Sequence, residues 1–360
     1  MPTEFQRIRW LTNVLRRHQR ASGRVLGVGD DAAAWTPPEG HTTVMSVDVQ
    51  NEGVHFRRPG MSATQVGRRA MAVAASDLAA MAAHPGVALV SMTLPEDLPE
   101  AYFKSAFRGM VTEAESCGME IIGGNLAGGA LSISITVIGS APVNQLVRRS
   151  GARVGDAIFV TGRPGRAAIG RDLLLGRPGK ATPASRACIG AFCSPKARIA
   201  EALRLREAIP IHAMIDISDG LAADLRHLLE ASSKRSGSTN LRAVLDAATL
   251  EDMLDGSVPR GPTVLEVARD RQLAPMALVL NGGEDYERLF LVAARARSRV
   301  ARLCSDWETP VTCIGHVERG PCGVFLQTGD AKKHRWTERG FDHFARGKSG
   351  GKSRRKRSNK

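Results

Sequence analysis

Eight carboxylates fall in short segments of glycine, alanine, serine and aliphatic residues, at the predicted ends of strands and helices. Burying a charged carboxylate without a partner costs several kcal/mol, so such groups need cations or hydrogen-bond donors. Several of them converging on one place favour a hard divalent cation, above all Mg²⁺. One acid beside glycine is more often a helix cap or turn residue, so the prediction depends on the whole set. The eight are Asp30, Asp31, Asp48, Asp77, Asp216, Asp219, Glu284 and Asp285.

Composition excludes several classes of protein. No apolar run approaches the roughly 18 residues that a transmembrane helix needs, so no membrane association is expected. The six cysteines form no Cys-x-x-Cys pair, which argues against zinc sites and a disulfide scaffold. The net charge is +14, and seven basic residues fall within residues 347–360. We expect this segment to be a disordered basic tail that could contact nucleic acid or other polyanions.

The order of predicted elements indicates a mixed α/β (α+β) chain with two domains. The first covers residues 1–145 and the second residues 146–346, followed by the tail. In the first domain a short strand over residues 120–122 precedes Gly123-Gly124-Asn125, where a turn is one interpretation of Asn125. The β-rich run of residues 131–140 predicts a long strand.

The nature of the substrate follows from the predicted cation. Mg²⁺ held by carboxylates usually serves a phosphate. The chain has no Walker A sequence, no dinucleotide-binding glycine motif and no protein-kinase signature, which disfavours those nucleotide-binding folds. The residues alone therefore predict a Mg²⁺-dependent enzyme that acts on a phosphorylated substrate.

An ordered set of motifs over residues 4–345 resembles the thiamine-monophosphate kinase family, within the aminoimidazole-ribonucleotide synthetase-like superfamily. Each motif is weak alone, and the order makes the resemblance specific. The motifs are Gly27-Val-Gly-Asp-Asp-Ala32, Asp48 with Glu52-Gly-Val-His-Phe56, Ala75-Ser-Asp-Leu-Ala-Ala-Met81, Gly123-Gly124, Arg149-Ser-Gly-Ala152, Asp216-Ile-Ser-Asp-Gly-Leu221, Gly282-Gly-Glu-Asp-Tyr-Glu287, Cys313-Ile-Gly315 and Gly340-Phe-Asp-His-Phe344.

The resemblance implies the two-domain fold of that superfamily, with an N-terminal sheet that pairs with the sheet of a second subunit in a homodimer. It implies that ATP and several Mg²⁺ ions bind in the cleft between the domains. The implied reaction is ATP-dependent phosphorylation of thiamine monophosphate to thiamine diphosphate, in the cytoplasm. Because the acceptor phosphate is already ionised near pH 7, no general base and no covalent nucleophile are expected.

The resemblance also implies a role for individual residues. The Mg²⁺ ligands would be Asp31, Ser46, Val47 through its carbonyl, Asp48, Asp77, Asn125, Asp216 and Asp219. The ATP contacts would be Gly124, Asn125, Arg149 and Ser218. The thiamine monophosphate contacts would be His55, Glu284 and Phe341, whose aromatic ring suits a cationic thiazolium.

The main departure from the family is Asn125, which stands where the family pattern has an aspartate. An amide can still supply an oxygen to Mg²⁺, but it carries no charge. Two alternatives remain open. The chain could be another ATP-using member of the superfamily with a different substrate, or a weakly catalytic relative that binds polyanions through its tail.

Overall fold

The computed structural model describes residues 2–18, 25–176, 181–236, 240–255 and 263–336. The helices in these residues are α1 (Glu4–His18), α2 (Ala63–Ala80), α3 (Glu100–Ser116), α4 (Arg166–Leu175), α5 (Pro183–Cys193), α6 (Ile199–Ala208), α7 (Leu221–Ser236), α8 (Ala247–Asp255), α9 (Val264–Asp270), α10 (Pro275–Asn281) and α11 (Arg297–Leu303). The strands are β1 (Val25–Leu26), β2 (Ala34–Trp35), β3 (His41–Asn51), β4 (His84–Leu94), β5 (Glu120–Gly128), β6 (Ser132–Pro142), β7 (Asp156–Thr161), β8 (Ile211–Asp216), β9 (Leu241–Asp246), β10 (Arg288–Ala293), β11 (Val311–Arg319), β12 (Gly323–Gln327) and β13 (Lys333–Arg335).

The N-terminal half is built on a four-stranded sheet in the order β3-β6-β4-β5. Strands β3 and β4 run antiparallel to β6, and β5 runs parallel to β4. The predicted long strand is present as β6. Buried and less buried side chains alternate along it, because Ile133, Ile135 and Val137 are buried in the core while Ser134 and Thr136 are not. Helices α2 and α3 pack together on the buried side of this sheet.

The opposite face of the four-stranded sheet is open in this chain. Met45, Val47 and Val49 alternate along β3 and are 67%, 63% and 40% exposed. The outer edges of β3 and β5 pair with no further strand among the described residues. An exposed aliphatic row on an unpaired edge strand is typical of a surface that another chain covers.

The C-terminal half contains a seven-stranded sheet in the order β13-β12-β9-β11-β7-β10-β8. All six residues of β7 are buried, as expected for a strand with both faces covered. Helix α2 connects the two halves, since it packs on β3 and β6 and also on β8 and α6. Its run of alanines, including Ala74, Ala75 and Ala79, permits this close packing on both sides.

The structure confirms the predicted mixed α/β class. The predicted short strand over residues 120–122 was wrong, because β5 continues through the two glycines to Gly128. Asn125 therefore lies in a strand, and its interpretation as a turn residue fails. The domain division at residue 145 stays a prediction, with β6 ending at Pro142 and β7 beginning at Asp156. In the part of the chain that the structure describes, no helix has the length and apolarity to cross a membrane.

Candidate active site

A cleft of about 470 Å³ lies between the two halves of the molecule, where most of the predicted site residues meet. Those that line it are Asp48, His55, Asp77, Arg149, Asp216, Ser218, Asp219 and Glu284. They come from β3 and the turn after it, from α2, from the connection after β6, from the end of β8 with the loop that follows it, and from the loop after α10. The sequence therefore predicted this convergence correctly, although the residues are spread over more than half of the chain.

The N-terminal wall of the cleft is formed by β3 and α2. The Ser46 hydroxyl donates a hydrogen bond of 2.5 Å to Asp77, and Asp48 accepts one of 2.6 Å from the Val49 amide. Burial, followed by repulsion from Asp77, Glu284 and Asp216, raises the pKa of Asp48 to about 6. Burial and the charge of Asp216 also raise the pKa of Asp77, against the effect of Ser46. Burial is the largest cause of both shifts, and at Asp77 the charges of Arg288 and Arg149 offset it only in part.

The C-terminal wall begins at Asp216, the last residue of β8. The Ser76 hydroxyl, from α2 in the other half, donates a hydrogen bond of 2.7 Å to this carboxylate. The Arg288 guanidinium lies 3.9 Å from the same oxygen. Ser76 and Asp77 are neighbours on α2. This turn of the helix therefore supplies Asp77 to one wall of the cleft and a hydrogen bond to Asp216 on the other wall.

Asp224 is a site residue that the sequence reasoning missed. It is buried in α7, and its Oδ2 accepts hydrogen bonds of 3.0 and 3.1 Å from the amides of Ser218 and Asp219. Burial, with the charges of Asp216 and Asp219, raises its pKa well above the usual value. Asp224 holds the loop that presents these residues to the cleft. An acid within the otherwise apolar start of α7 was the available signal.

Glu284 occupies a tight turn in which the backbone φ is +71°. Its carboxylate accepts hydrogen bonds from the Arg69 guanidinium and, at 2.8 Å, from the Tyr286 hydroxyl. Burial alone would raise the pKa of Glu284, but the charge of Arg69 and these hydrogen bonds outweigh it and lower the pKa. Glu284 is therefore an ionised carboxylate at the cleft.

Asp285 does not belong to the cation-binding set that the sequence predicted. It is buried and accepts hydrogen bonds from the amides of Gly165 and Ala167, at 2.8 and 3.3 Å, at the start of α4. Glu287 is likewise turned away from the cleft, where it accepts two hydrogen bonds from Arg198. Side chains thus alternate between 284 and 287, with Glu284 and Tyr286 lining the cleft.

Basic side chains also line the cleft. They are Arg149, Arg171 from α4 and His227 from α7, and the last two were not predicted. A cleft that contains both carboxylates and arginines suits a ligand that carries phosphates and divalent metal together.

Three predicted residues lie in a different pocket. Asp31, Gly124 and Asn125 line a pocket of about 940 Å³ on the open face of the four-stranded sheet, with Met45. Gly124 has φ +156°, and a Cβ there would stand 1.8 Å from the Val90 carbonyl oxygen, so only glycine fits. Within one chain these residues are separated from the cleft acids. The exposed Val47 side chain, adjacent to Asp48 on β3, belongs to the same open face.

Two features predicted from the sequence, Phe341 and the basic tail of residues 347–360, lie outside the described residues. In the described ranges, no three His, Cys, Asp or Glu side chains form a cluster ready to hold a metal ion. The oxygen donors that line the cleft are nevertheless of the type that Mg²⁺ prefers, and the raised pKa values of Asp48 and Asp77 fit carboxylates that a bound cation would stabilise.

Comparisons with known proteins agree with this architecture. The family described as AIR synthase related protein, N-terminal domain, matches residues 29–141. The N-terminal part of the chain is therefore of the AIR synthase-related class. The chain is 33% identical over 325 residues to the thiamine-monophosphate kinase of Escherichia coli (strain K12), covering 89% of this chain and 92% of that protein. The chain belongs to the thiamine-monophosphate kinase family, which is a family of enzymes.

Solved structures give the same result for the whole fold. The thiamine-monophosphate kinase from Stenotrophomonas maltophilia K279a matches with a TM-score of 0.74 and 31% identity, over 89% of this chain and 96% of that chain. A structure described as AaThiL complexed with AMPPCP and TMP matches with a TM-score of 0.70 and 29% identity, over 96% of this chain and 99% of that one.

Proposed function

We propose that this protein transfers the γ-phosphoryl group of ATP to thiamine monophosphate, giving thiamine diphosphate and ADP. The observation that carries the proposal is the cleft that is lined by carboxylates from both halves together with Arg149, Arg171 and His227. Family membership supports the choice of substrates, because a similar structure is described with AMPPCP and TMP. The cytoplasm, where ATP is available, is the compartment in which we expect the reaction.

Mg²⁺ is the metal that the donor set fits. Within the cleft, Asp48, Asp77, Asp216 and Asp219 would hold it, with Ser46 and the Val47 carbonyl beside them. When bound, Mg²⁺ supplies positive charge that neutralises the phosphates and holds them together. Phosphate oxygens would complete the coordination, which agrees with the lack of a three-acid cluster in the described residues.

The chemistry requires positioning rather than proton removal. The second pKa of a phosphate monoester is about 6, so the acceptor is ionised near neutral pH. Both substrates are anions, and the residues must hold them in line against their repulsion. We assign this role to Arg149 and Ser218 at the ATP phosphates. His55 and Glu284 would contact thiamine monophosphate, with Phe341 beyond the described residues.

A homodimer would unite the two groups of predicted ligands. The exposed row of Met45, Val47 and Val49 and the unpaired edges of β3 and β5 support a second copy of this chain as the cover for the open sheet face. In such a dimer Asp31, Gly124 and Asn125 would approach nucleotide bound in the cleft of the partner subunit. This arrangement accounts for their separation from the other ligands within one chain.

The direct test is turnover of purified protein with ATP, Mg²⁺ and thiamine monophosphate, followed by the appearance of thiamine diphosphate. Free thiamine should be a poor acceptor because it lacks the phosphate nucleophile. Turnover of free thiamine without turnover of the monophosphate would contradict the proposal. Deleting residues 347–360 should leave this rate unchanged and weaken salt-sensitive binding to RNA, since the tail carries seven basic residues.

A further inference from the structure

Two buried arginines extend across the boundary between the halves in opposite directions. Arg69, from α2, is 1% exposed and reaches the C-terminal half. Arg288, from β10, is fully buried and reaches α2 in the N-terminal half. A buried guanidinium is costly unless it is paired and hydrogen-bonded, so each must be held by specific partners. Neither arginine is among the residues that line the cleft.

The partners of Arg69 support Glu284. Arg69 donates hydrogen bonds to the Glu284 carboxylate and to the Phe192 carbonyl. Its guanidinium carbon lies 4.4 Å from the centre of the Phe192 ring and 5.8 Å from that of Tyr286. The Tyr286 hydroxyl donates a second hydrogen bond to Glu284, at 2.8 Å. Two donors therefore fix the carboxylate that the family resemblance assigns to the acceptor substrate.

The partners of Arg288 support Asp216 instead. Arg288 donates to the Ser76 carbonyl at 2.7 Å, to the Ser76 hydroxyl, and to the Tyr286 carbonyl at 2.8 Å. Because the Ser76 hydroxyl is thereby supplied with a donor, its own proton is directed at Asp216, 2.7 Å away. Asp77, the next residue of α2, is held instead by the Ser46 hydroxyl. The network of Arg288 and Ser76 therefore orients Asp216, one of the carboxylates proposed to hold metal.

We propose that these are two separate positioning networks, one for each function of the cleft. Ser76 and Arg288 position Asp216 for Mg²⁺, and Arg69 and Tyr286 position Glu284 for thiamine monophosphate. The inference rests on the proposed function for the identity of the two ligands. Among the described residues the two networks meet at Tyr286, whose carbonyl accepts from Arg288 while its hydroxyl donates to Glu284. Removing one side-chain hydroxyl should therefore disturb one ligand and not the other.

The experiment compares Ser76→Ala with Tyr286→Phe, each of which removes one hydroxyl group. The probes are Mg²⁺ titrated in the presence of AMPPCP, and thiamine monophosphate titrated in the presence of Mg²⁺ and AMPPCP, both by calorimetry. Ser76→Ala should weaken Mg²⁺ binding about tenfold, the effect of losing one hydrogen bond to a charged group, and change thiamine monophosphate binding less than twofold. Tyr286→Phe should weaken thiamine monophosphate binding about tenfold and change Mg²⁺ binding less than twofold.

Tyr102→Phe is the matched control. It removes a buried hydroxyl on α3 that has no hydrogen-bond partner in the described residues, so both dissociation constants should stay at the wild-type values. Arg69→Lys provides a second variant of the substrate network and should follow Tyr286→Phe, with normal Mg²⁺ binding. In steady-state kinetics, Ser76→Ala should raise the Mg²⁺ concentration needed for half-maximal rate. Tyr286→Phe and Arg69→Lys should instead raise the KM for thiamine monophosphate.

Equal weakening of both ligands by Ser76→Ala and by Tyr286→Phe would overturn the inference, because the two networks would then be one structural support. Wild-type binding of both ligands by both variants would also overturn it. Failure of the proposed function has a different signature. Wild-type protein would then show no binding or turnover of thiamine monophosphate at all, whatever the variants do.

Discussion

The cleft between the two halves and the open sheet face hold two parts of one predicted ligand set in very different surroundings. In the cleft, Asp216 is buried and Asp77 is partly buried, and Ser76 and Ser46 of the same chain orient them. On the open face, Asn125 is exposed beside an aliphatic row that nothing in the described chain covers. The first site is shaped by folding alone, whereas the second needs another surface to become shielded from water.

The largest effect should come from removing a cleft carboxylate. Asp77→Asn and Asp216→Asn should each lower kcat by about 100-fold or more, because each removes charge where phosphates must be neutralised. Initial rates with thiamine monophosphate check this, and far-ultraviolet circular dichroism should be unchanged. Asp330→Asn, on an exposed loop, is the matched control. Near-normal turnover in either cleft variant would remove that residue from the metal site.

The second prediction tests whether the open face needs a partner. Met45→Asp places a charge in the exposed row and should produce a folded monomer with strongly reduced turnover, because an unpaired charge is costly in a covered interface. Sedimentation velocity with parallel rate measurements checks both effects. Val154→Asp, which changes an aliphatic residue that is 50% exposed elsewhere, should leave the dimer intact. A monomeric wild-type protein with full activity would contradict the comparison.

The third prediction concerns the charge missing at residue 125. Asn125→Asp should lower the Mg²⁺ concentration for half-maximal rate by about tenfold, since a neighbouring charge in a shielded site shifts binding by roughly 1–3 kcal/mol. The measurement is rate against free Mg²⁺ at saturating ATP. In the Met45→Asp background the effect should disappear if Asn125 acts only in the dimer. Overlapping curves in the wild-type background would exclude residue 125 from the metal site.

The smallest effect should be on the stability of the metal-free protein. The pKa of Asp48 is raised to about 6, so the folded state holds a proton that the unfolded state releases nearer pH 4. The contribution of Asp48 to the free energy of unfolding is therefore present at low pH and is lost as the pH rises through about 6. Asp48→Asn should raise Tm by a few degrees at about pH 7.5 and not at about pH 4. Asp31→Asn, on the exposed face, should change Tm at neither pH.

The sequence predicted the members of the cleft better than their supports. Asp48, Asp77, Asp216 and Asp219 stood out because each is an acid among small apolar residues. Arg69 and Arg288 carried no such signal. Arg69 lies 215 residues from Glu284 in the chain, and Arg288 lies 212 residues from Ser76. Contacts of that separation depend on how the two sheets pack, which local patterns do not encode.

Two errors have local causes. The two glycines before Asn125 indicated a turn, but Gly124 is required by the close approach of the Val90 carbonyl across the sheet. Asp285 shares the sequence context of Glu284 and yet caps α4. Composition could not separate these neighbours, because the direction of each side chain is set by the positive φ angles of Glu284 and Tyr286.

The alternation from Glu284 to Glu287 has a consequence for how this segment can diverge. A deletion or insertion of one residue would exchange the inward and outward sets, placing the cap of α4 in the cleft and a cleft carboxylate beneath the helix. Each of the four side chains has partners on its own side of the segment, so a change in length would separate both sets from their partners at once. The segment should therefore keep its length even where surface loops elsewhere in the molecule change theirs.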